Sequence, residues 1–183
     1  MGKKGEETQI KSKYWSIDEI LIKLPLVNIK LKTPIIDTKE ARNNASIGFV
    51  EGVPGTKVGF KSFNGSFVGA DLNRNGELMA SVHKMGTWET FDLFRLPDGK
   101  VALRACNGRF VGAKLHEHSQ LVADLPYVRD WETFNILQLG DGKIALRAFN
   151  NLYVSADLNR NGELVADRPE ASGWEAFTLT LAP

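Results

Sequence analysis

The chain has 183 residues, 43% of them hydrophobic and 25% charged, a composition that belongs to a folded globular protein with enough length to bury a sizeable core. Its 23 basic and 22 acidic side chains leave a net charge of +1, so no global field draws it to nucleic acid or to an anionic membrane, and neither is expected as a partner. A single cysteine, Cys106, excludes an internal disulfide and points to a reducing, cytoplasmic setting.

Residues 1–55 form an N-terminal arm that shares no pattern with the rest. Ser16-Ile17-Asp18-Glu19 reads as a capping box leading into Ile20, Leu21 and Leu24, and Pro25 ends this short helix. Residues 27–32 alternate as an edge strand, with Ile29 and Leu31 on one face. Polar residues interrupt every apolar run here, so neither a signal-peptide core nor a membrane span is predicted. The arm is expected to pack along the domain that follows, the alternative being a helix or strand offered to a partner.

Residues 56–183 repeat three times with a period of 43. Lys57, Lys100 and Lys143 keep that spacing, as do Asn64, Asn107 and Asn150, Leu78, Leu121 and Leu164, Trp88, Trp131 and Trp174, and Phe91, Phe134 and Phe177. Residues 70–78 recur unchanged at 156–164. Within each copy the apolar period is two. Lys100-Val101-Ala102-Leu103-Arg104 predicts a first strand with Val101 and Leu103 inward and Arg104 outward. Asn107-Gly108 supplies a turn, residues 110–113 and 121–123 the second and third strands, and residues 131–139 a fourth that begins at the tryptophan. Three blades are too few for a propeller. Twelve strands in three copies predict an all-β fold, a β-trefoil of three 43-residue four-strand repeats in which a closed barrel is capped by hairpins.

Several residues invite a chemical reading. Asp71-Leu72-Asn73-Arg74-Asn75-Gly76-Glu77 and its copy at 157–163 match the first half of a calcium loop, but the twelfth position is Val82 or Arg168 where a carboxylate is required. A turn between the second and third strands is the better account, with Asp71 and Asp157 bonding local backbone and no metal bound. Glu89, Glu132 and Glu175 each follow a tryptophan, and recurrence in every copy predicts a structural role; the flanking Trp and Phe residues are expected in the core. Cys106 stands where the other copies have Phe63 and Phe149, which predicts a buried thiol acting as a small hydrophobe. His116 and His118 are too few ligands for a firm metal site. No nucleophile elbow, phosphate-binding glycine loop or zinc motif is present, so neither enzyme activity nor a cofactor is expected.

The strand sequences Ile144-Ala145-Leu146-Arg147, Tyr153-Val154-Ser155-Ala156-Asp157, Leu164-Val165-Ala166-Asp167-Arg168 and Trp174-Glu175-Ala176-Phe177 resemble the fascin-like β-trefoil repeat over residues 56–183. That resemblance implies a binding module, with actin filaments or another protein as the first expected partner and a polysaccharide as the alternative, because similar trefoils accompany polysaccharide-degrading enzymes. The Gln-x-Trp motif of ricin-type sugar-binding trefoils is absent. Candidate binding residues are Asn73, Arg74 and Asn75, their copies Asn159, Arg160 and Asn161, and the equivalent basic positions Lys61, Arg104 and Arg147, which alternation turns toward solvent.

Overall fold

The computed structural model describes residues 55–182; the helix and edge strand expected in the arm lie outside the described residues. Among the described residues there are twelve strands and no α-helix. The first repeat holds β1 (Thr56–Lys61), β2 (Phe67–Asp71), β3 (Glu77–Val82) and β4 (Phe91–Arg95). The second holds β5 (Val101–Arg104), β6 (Phe110–Lys114), β7 (Gln120–Leu125) and β8 (Asn135–Gly140), and the third β9 (Lys143–Arg147), β10 (Tyr153–Asp157), β11 (Glu163–Arg168) and β12 (Phe177–Leu181). All pairings are antiparallel, and the ladder closes on itself through β9 and β10.

Pairing explains how the ends are protected. β1 pairs with β12 and β4, β4 with β5, and β9 with β8 and β12, while a two-bond bridge between Val101 and Phe134 links β5 to the start of β8. The hairpins β2–β3, β6–β7 and β10–β11 each carry a bulge one residue into their first strand, at Phe67/Val68, Phe110/Val111 and Tyr153/Val154. Each hairpin tip is clipped to a neighbouring hairpin: Ala123 N–H donates to the Gly76 carbonyl at 2.8 Å, Ala166 N–H to Ser119 at 2.8 Å and Ala80 N–H to Gly162 at 2.7 Å. Backbone groups that would otherwise be exposed edges are thereby satisfied.

Alternation puts every second residue of most strands into the common core. Val58, Phe60, Leu78, Phe91, Leu103, Leu121, Phe134, Leu146, Leu164 and Phe177 are buried together there. Val101 and Leu103 point inward as expected, but Ala102 is buried as well, because the opposite face of β5 lies under a second cluster of Phe94, Leu96, Phe110 and Val128. The fourth strands begin at Phe91, Asn135 and Phe177, three or four residues beyond each tryptophan, where the sequence pattern starts them at the tryptophan itself. The segment around Trp131 is a 3-10 turn, Asp130–Glu132.

Candidate functional site

The recurring asparagines each accept from the backbone N–H two residues on, in the turn between the first and second strands of their repeat. Asn107 Oδ1 accepts from Arg109 N–H at 2.9 Å and its Nδ2 donates across to the Ala123 carbonyl at 2.9 Å; Asn150 does the same with Leu152 and Ala166. Asn64 Oδ1 accepts likewise from Ser66 N–H, and from Ser62 Oγ in addition, without the bond across among the described residues. The chain turns at Gly65, Gly108 and Asn151, all at positive φ, and the residue at the second position of each turn is thrown outward. That residue is Phe63, Cys106 or Phe149. The prediction of a buried Cys106 is therefore wrong: the thiol is exposed, and Phe63 and Phe149 are 48% and 46% exposed. Partial burial of the sulfur pushes the Cys106 thiol above its ordinary pKa, which keeps it protonated and a poor nucleophile at neutral pH.

The loops after the third strands are held by the recurring glutamates. Glu89, Glu132 and Glu175 accept from the backbone N–H three residues earlier, at Gly86 (2.8 Å), Arg129 (2.9 Å) and Ser172 (2.9 Å). The carbonyls of Trp88 and Trp174 accept from Ala70 and Ala156 N–H at 3.0 and 3.1 Å, anchoring the loop to β2 and β10. With its backbone so used, the tryptophan ring is left at the surface. Trp88 is 37% exposed, and Trp131 and Trp174 are half-buried, so the expectation that these rings belong to the core is corrected; Phe91, Phe134 and Phe177 do fill it.

Burial raises the Glu132 carboxyl above the usual glutamate range, against the lowering effects of Arg129 N–H and of Lys114, with Asp124 adding to the rise. Folding therefore favours the protonated form. This contribution to stability is present below the unfolded-state value, roughly 4.3, and is lost as pH rises through the raised folded-state value. Glu132→Gln, which keeps an acceptor for Arg129 N–H, is expected to remove that loss. Urea midpoints of the two proteins should diverge in favour of the variant between about pH 4.5 and neutrality, and parallel pH profiles would contradict the assignment.

Loop and turn meet in two clefts at equivalent places around the barrel. The first, of about 660 Å3, lies between the loop Met85-Gly86-Thr87 and the turn carrying Cys106. Its floor is an ion triad: Asp92 accepts from Lys57 Nζ at 2.9 Å and from Arg104 Nη2 and Nε at 2.9 and 3.3 Å. The second, of about 550 Å3, has Phe63 from the first repeat and Trp174 from the third on its walls, with Arg168, Glu170, Ser172 and Glu175 between them. Pairing of β1 with β12, Lys61 opposite Thr178, brings these ends of the repeat region together. An exposed phenyl ring and a half-exposed indole beside hydroxyl, carboxylate and guanidinium groups can bind a ligand that presents an apolar face edged with hydroxyls.

The nine sequence-predicted residues occupy other places, apart from Arg104, which lines the first cleft. Asn73, Arg74 and Asn75, like Asn159, Arg160 and Asn161, are exposed in 3-10 turns at hairpin tips. Asp71 and Asp157 accept from Asn73 and Asn159 N–H at 3.0 and 2.9 Å, as the turn reading requires. Each arginine is tied to an acid of its own hairpin, Arg74 to Glu77 at 2.7 Å and Arg160 to Asp157 at 3.6 Å. Lys61 is exposed, but Arg104 and Arg147 are half-buried, not solvent-facing. Their backbones stand opposite Phe67, Phe110 and Tyr153, and Lys61 Nζ lies 5.5 Å from the Phe67 ring, so these positions also shield an aromatic residue. His116 is exposed and meets the edge of Trp131 at 5.4 Å. Among the described residues no cluster of three His, Cys, Asp or Glu side chains is placed to hold a metal ion.

Comparison with solved structures gives a likeness of fold. A designed threefold-symmetric protein, ThreeFoil, superposes with a TM-score of 0.60 at 13% identity, over 68% of this chain and 97% of that one. SeviL, solved bound to asialo-GM1 saccharide, gives 0.59 at 16% identity over 70% and 98%. A ricin B-like lectin of Macrolepiota procera, solved in complex with lactose, gives 0.58 at 12% identity over 73% and 100%. These establish an all-β fold with trefoil-like lectin neighbours. No curated protein matches the sequence. One family, described as "Domain of unknown function (DUF7910)", matches residues 52–176, more than half of the chain, and the protein belongs to it.

Proposed function

We propose that the barrel is a β-trefoil of three 43-residue repeats that acts as a saccharide-binding module, without catalytic activity, and that the cleft between Phe63 and Trp174 is its ligand site. The observation that carries the reading is the pair of accessible aromatic rings on the walls of one concave site lined by polar side chains. Sugar rings present C–H faces that stack on aromatics and hydroxyls that bond the groups at the rim. The Phe63 ring, 48% exposed on its turn, leaves a face free for stacking. Neighbours that carry saccharide in their own structures favour this over the filament-binding reading. Binding to actin or another protein, and membership of the fascin-like group, rest on the sequence resemblance alone. Cytoplasmic placement is part of the proposal, resting on the single unpaired thiol.

A glycan array run beside filament co-sedimentation decides between the two partners. Signal on the array with no pelleting is the expected result; pelleting with a silent array overturns the proposal. For a glycan that binds, Phe63→Ala is expected to weaken affinity at least about tenfold, roughly 1.4 kcal/mol, while changing stability by less than about 1 kcal/mol, because the ring is exposed. Unchanged affinity would place the site elsewhere.

A further inference from the structure

We propose that the Phe63–Trp174 cleft selects uncharged saccharides and rejects sialylated or sulfated ones; this deepens the saccharide reading and rests on it. Stacking on two aromatic walls does not distinguish a neutral sugar from an anionic one. The charges between the walls do. Arg168 supplies the positive group of the lining, and it is already engaged: its Nε lies 3.2 Å from Asp167 and 3.9 Å from Glu175, and its guanidinium carbon is 5.9 Å from the centre of the Trp174 ring. Glu175 is buried and accepts from both Ser172 N–H and Ser172 Oγ at 2.9 Å, which holds its carboxylate in place.

Glu170 is exposed on the same lining, and no cation is paired with it among the described residues. On the lining one guanidinium thus stands against two carboxylates, those of Glu170 and Glu175, and a third, Asp167 outside the lining, is paired with the same guanidinium. An incoming carboxylate or sulfate meets net repulsion, and Arg168 can turn to it only by leaving two acids and the indole. The first cleft has the opposite balance, with Lys57 and Arg104 around the lone carboxylate of Asp92 and Cys106 in place of an aromatic wall. Two clefts in equivalent positions therefore differ in both shape-reading and charge, and the aromatic one is the acidic one.

The test uses an array carrying matched sets of glycans on the same cores in neutral, sialylated and sulfated forms, read at low and at physiological salt. Each neutral core that binds is expected to bind about five- to tenfold more strongly than its anionic partners at roughly 10 mM salt, and the gap should shrink to about twofold at roughly 150 mM as the charges are screened. Glu170→Lys is expected to narrow the gap at low salt or invert it. Anionic forms that bind as well as their neutral cores, or a gap that ignores both salt and Glu170→Lys, overturn the selectivity while leaving the saccharide reading in place. Silence over the whole array overturns both.

Discussion

Phe91→Ala is expected to cost about 3–5 kcal/mol, a large part of the roughly 5–15 kcal/mol that holds a domain of this size together. Phe91 has no exposed surface and meets the Phe60 ring edge-on, with centroids 6.0 Å apart and an interplanar angle of 66°. The space left between Phe60, Phe91, Phe177 and the leucines around them is only about 10 Å3 and has no polar group on its lining to hold a water, so the centre is close-packed and dry. Side chains from three repeats meet there, and strands paired on both sides cannot move in to close a void. The lost ring therefore leaves a cavity in addition to losing its transfer free energy. Phe63→Ala removes the same ring from an exposed turn and serves as the control. Urea denaturation separates the two, and a loss below about 1.5 kcal/mol for Phe91→Ala would mean that the core is looser than its packing indicates.

Gly162→Ala is expected to cost about 2–3 kcal/mol through two separable effects. Gly162 sits at φ +83°, and a Cβ there would collide with the carbonyl oxygen of Ala80, a backbone atom of β3. The Ala80 N–H to Gly162 carbonyl bond at 2.7 Å is one of the three clips that hold the hairpins together. Relieving the collision opens that clip. Gly99→Ala isolates the conformational part, since Gly99 has φ +85° with no atom within 4 Å of a built Cβ, and its cost is expected near 1 kcal/mol. Equal losses at the two sites would show that the clip carries nothing. The second repeat shows what nature tolerates: His118 and Ser119 occupy the equivalent positions at φ +51° and +58°, while Ser119 still accepts the matching bond from Ala166.

The strands, the hairpin tips and the repeat were legible because each leaves a local signature: apolar alternation, Asn-Gly where two residues take positive φ, and a 43-residue register without a gap. Placement of the aromatic residues was not. Recurrence of Trp88, Trp131 and Trp174 suggested the core, yet what recurs is a loop pinned through the following glutamate, aided at Trp88 and Trp174 by the tryptophan carbonyl, and the inward residue is the phenylalanine three positions on. The expectation of a buried Cys106 rests on its equivalence to Phe63 and Phe149, although Asn107-Gly108 already marks residue 106 as a turn position. The site itself joins residues 63 and 174 from opposite ends of the repeat region. Only closure of the barrel makes them neighbours, whereas Arg74 and Arg160 drew notice through a repeat that the hairpin tips explain by turn geometry.

The most direct measurement is a titration of isotopically labelled protein with a neutral glycan from the array, followed by amide and indole N–H resonances. Shifts concentrated at the Trp174 indole, Phe63 and Ser172, with residues 73–75 and 159–161 undisturbed, are the predicted result. Shifts confined to those hairpin tips, or to the cleft of Cys106 and Arg104, would contradict the account.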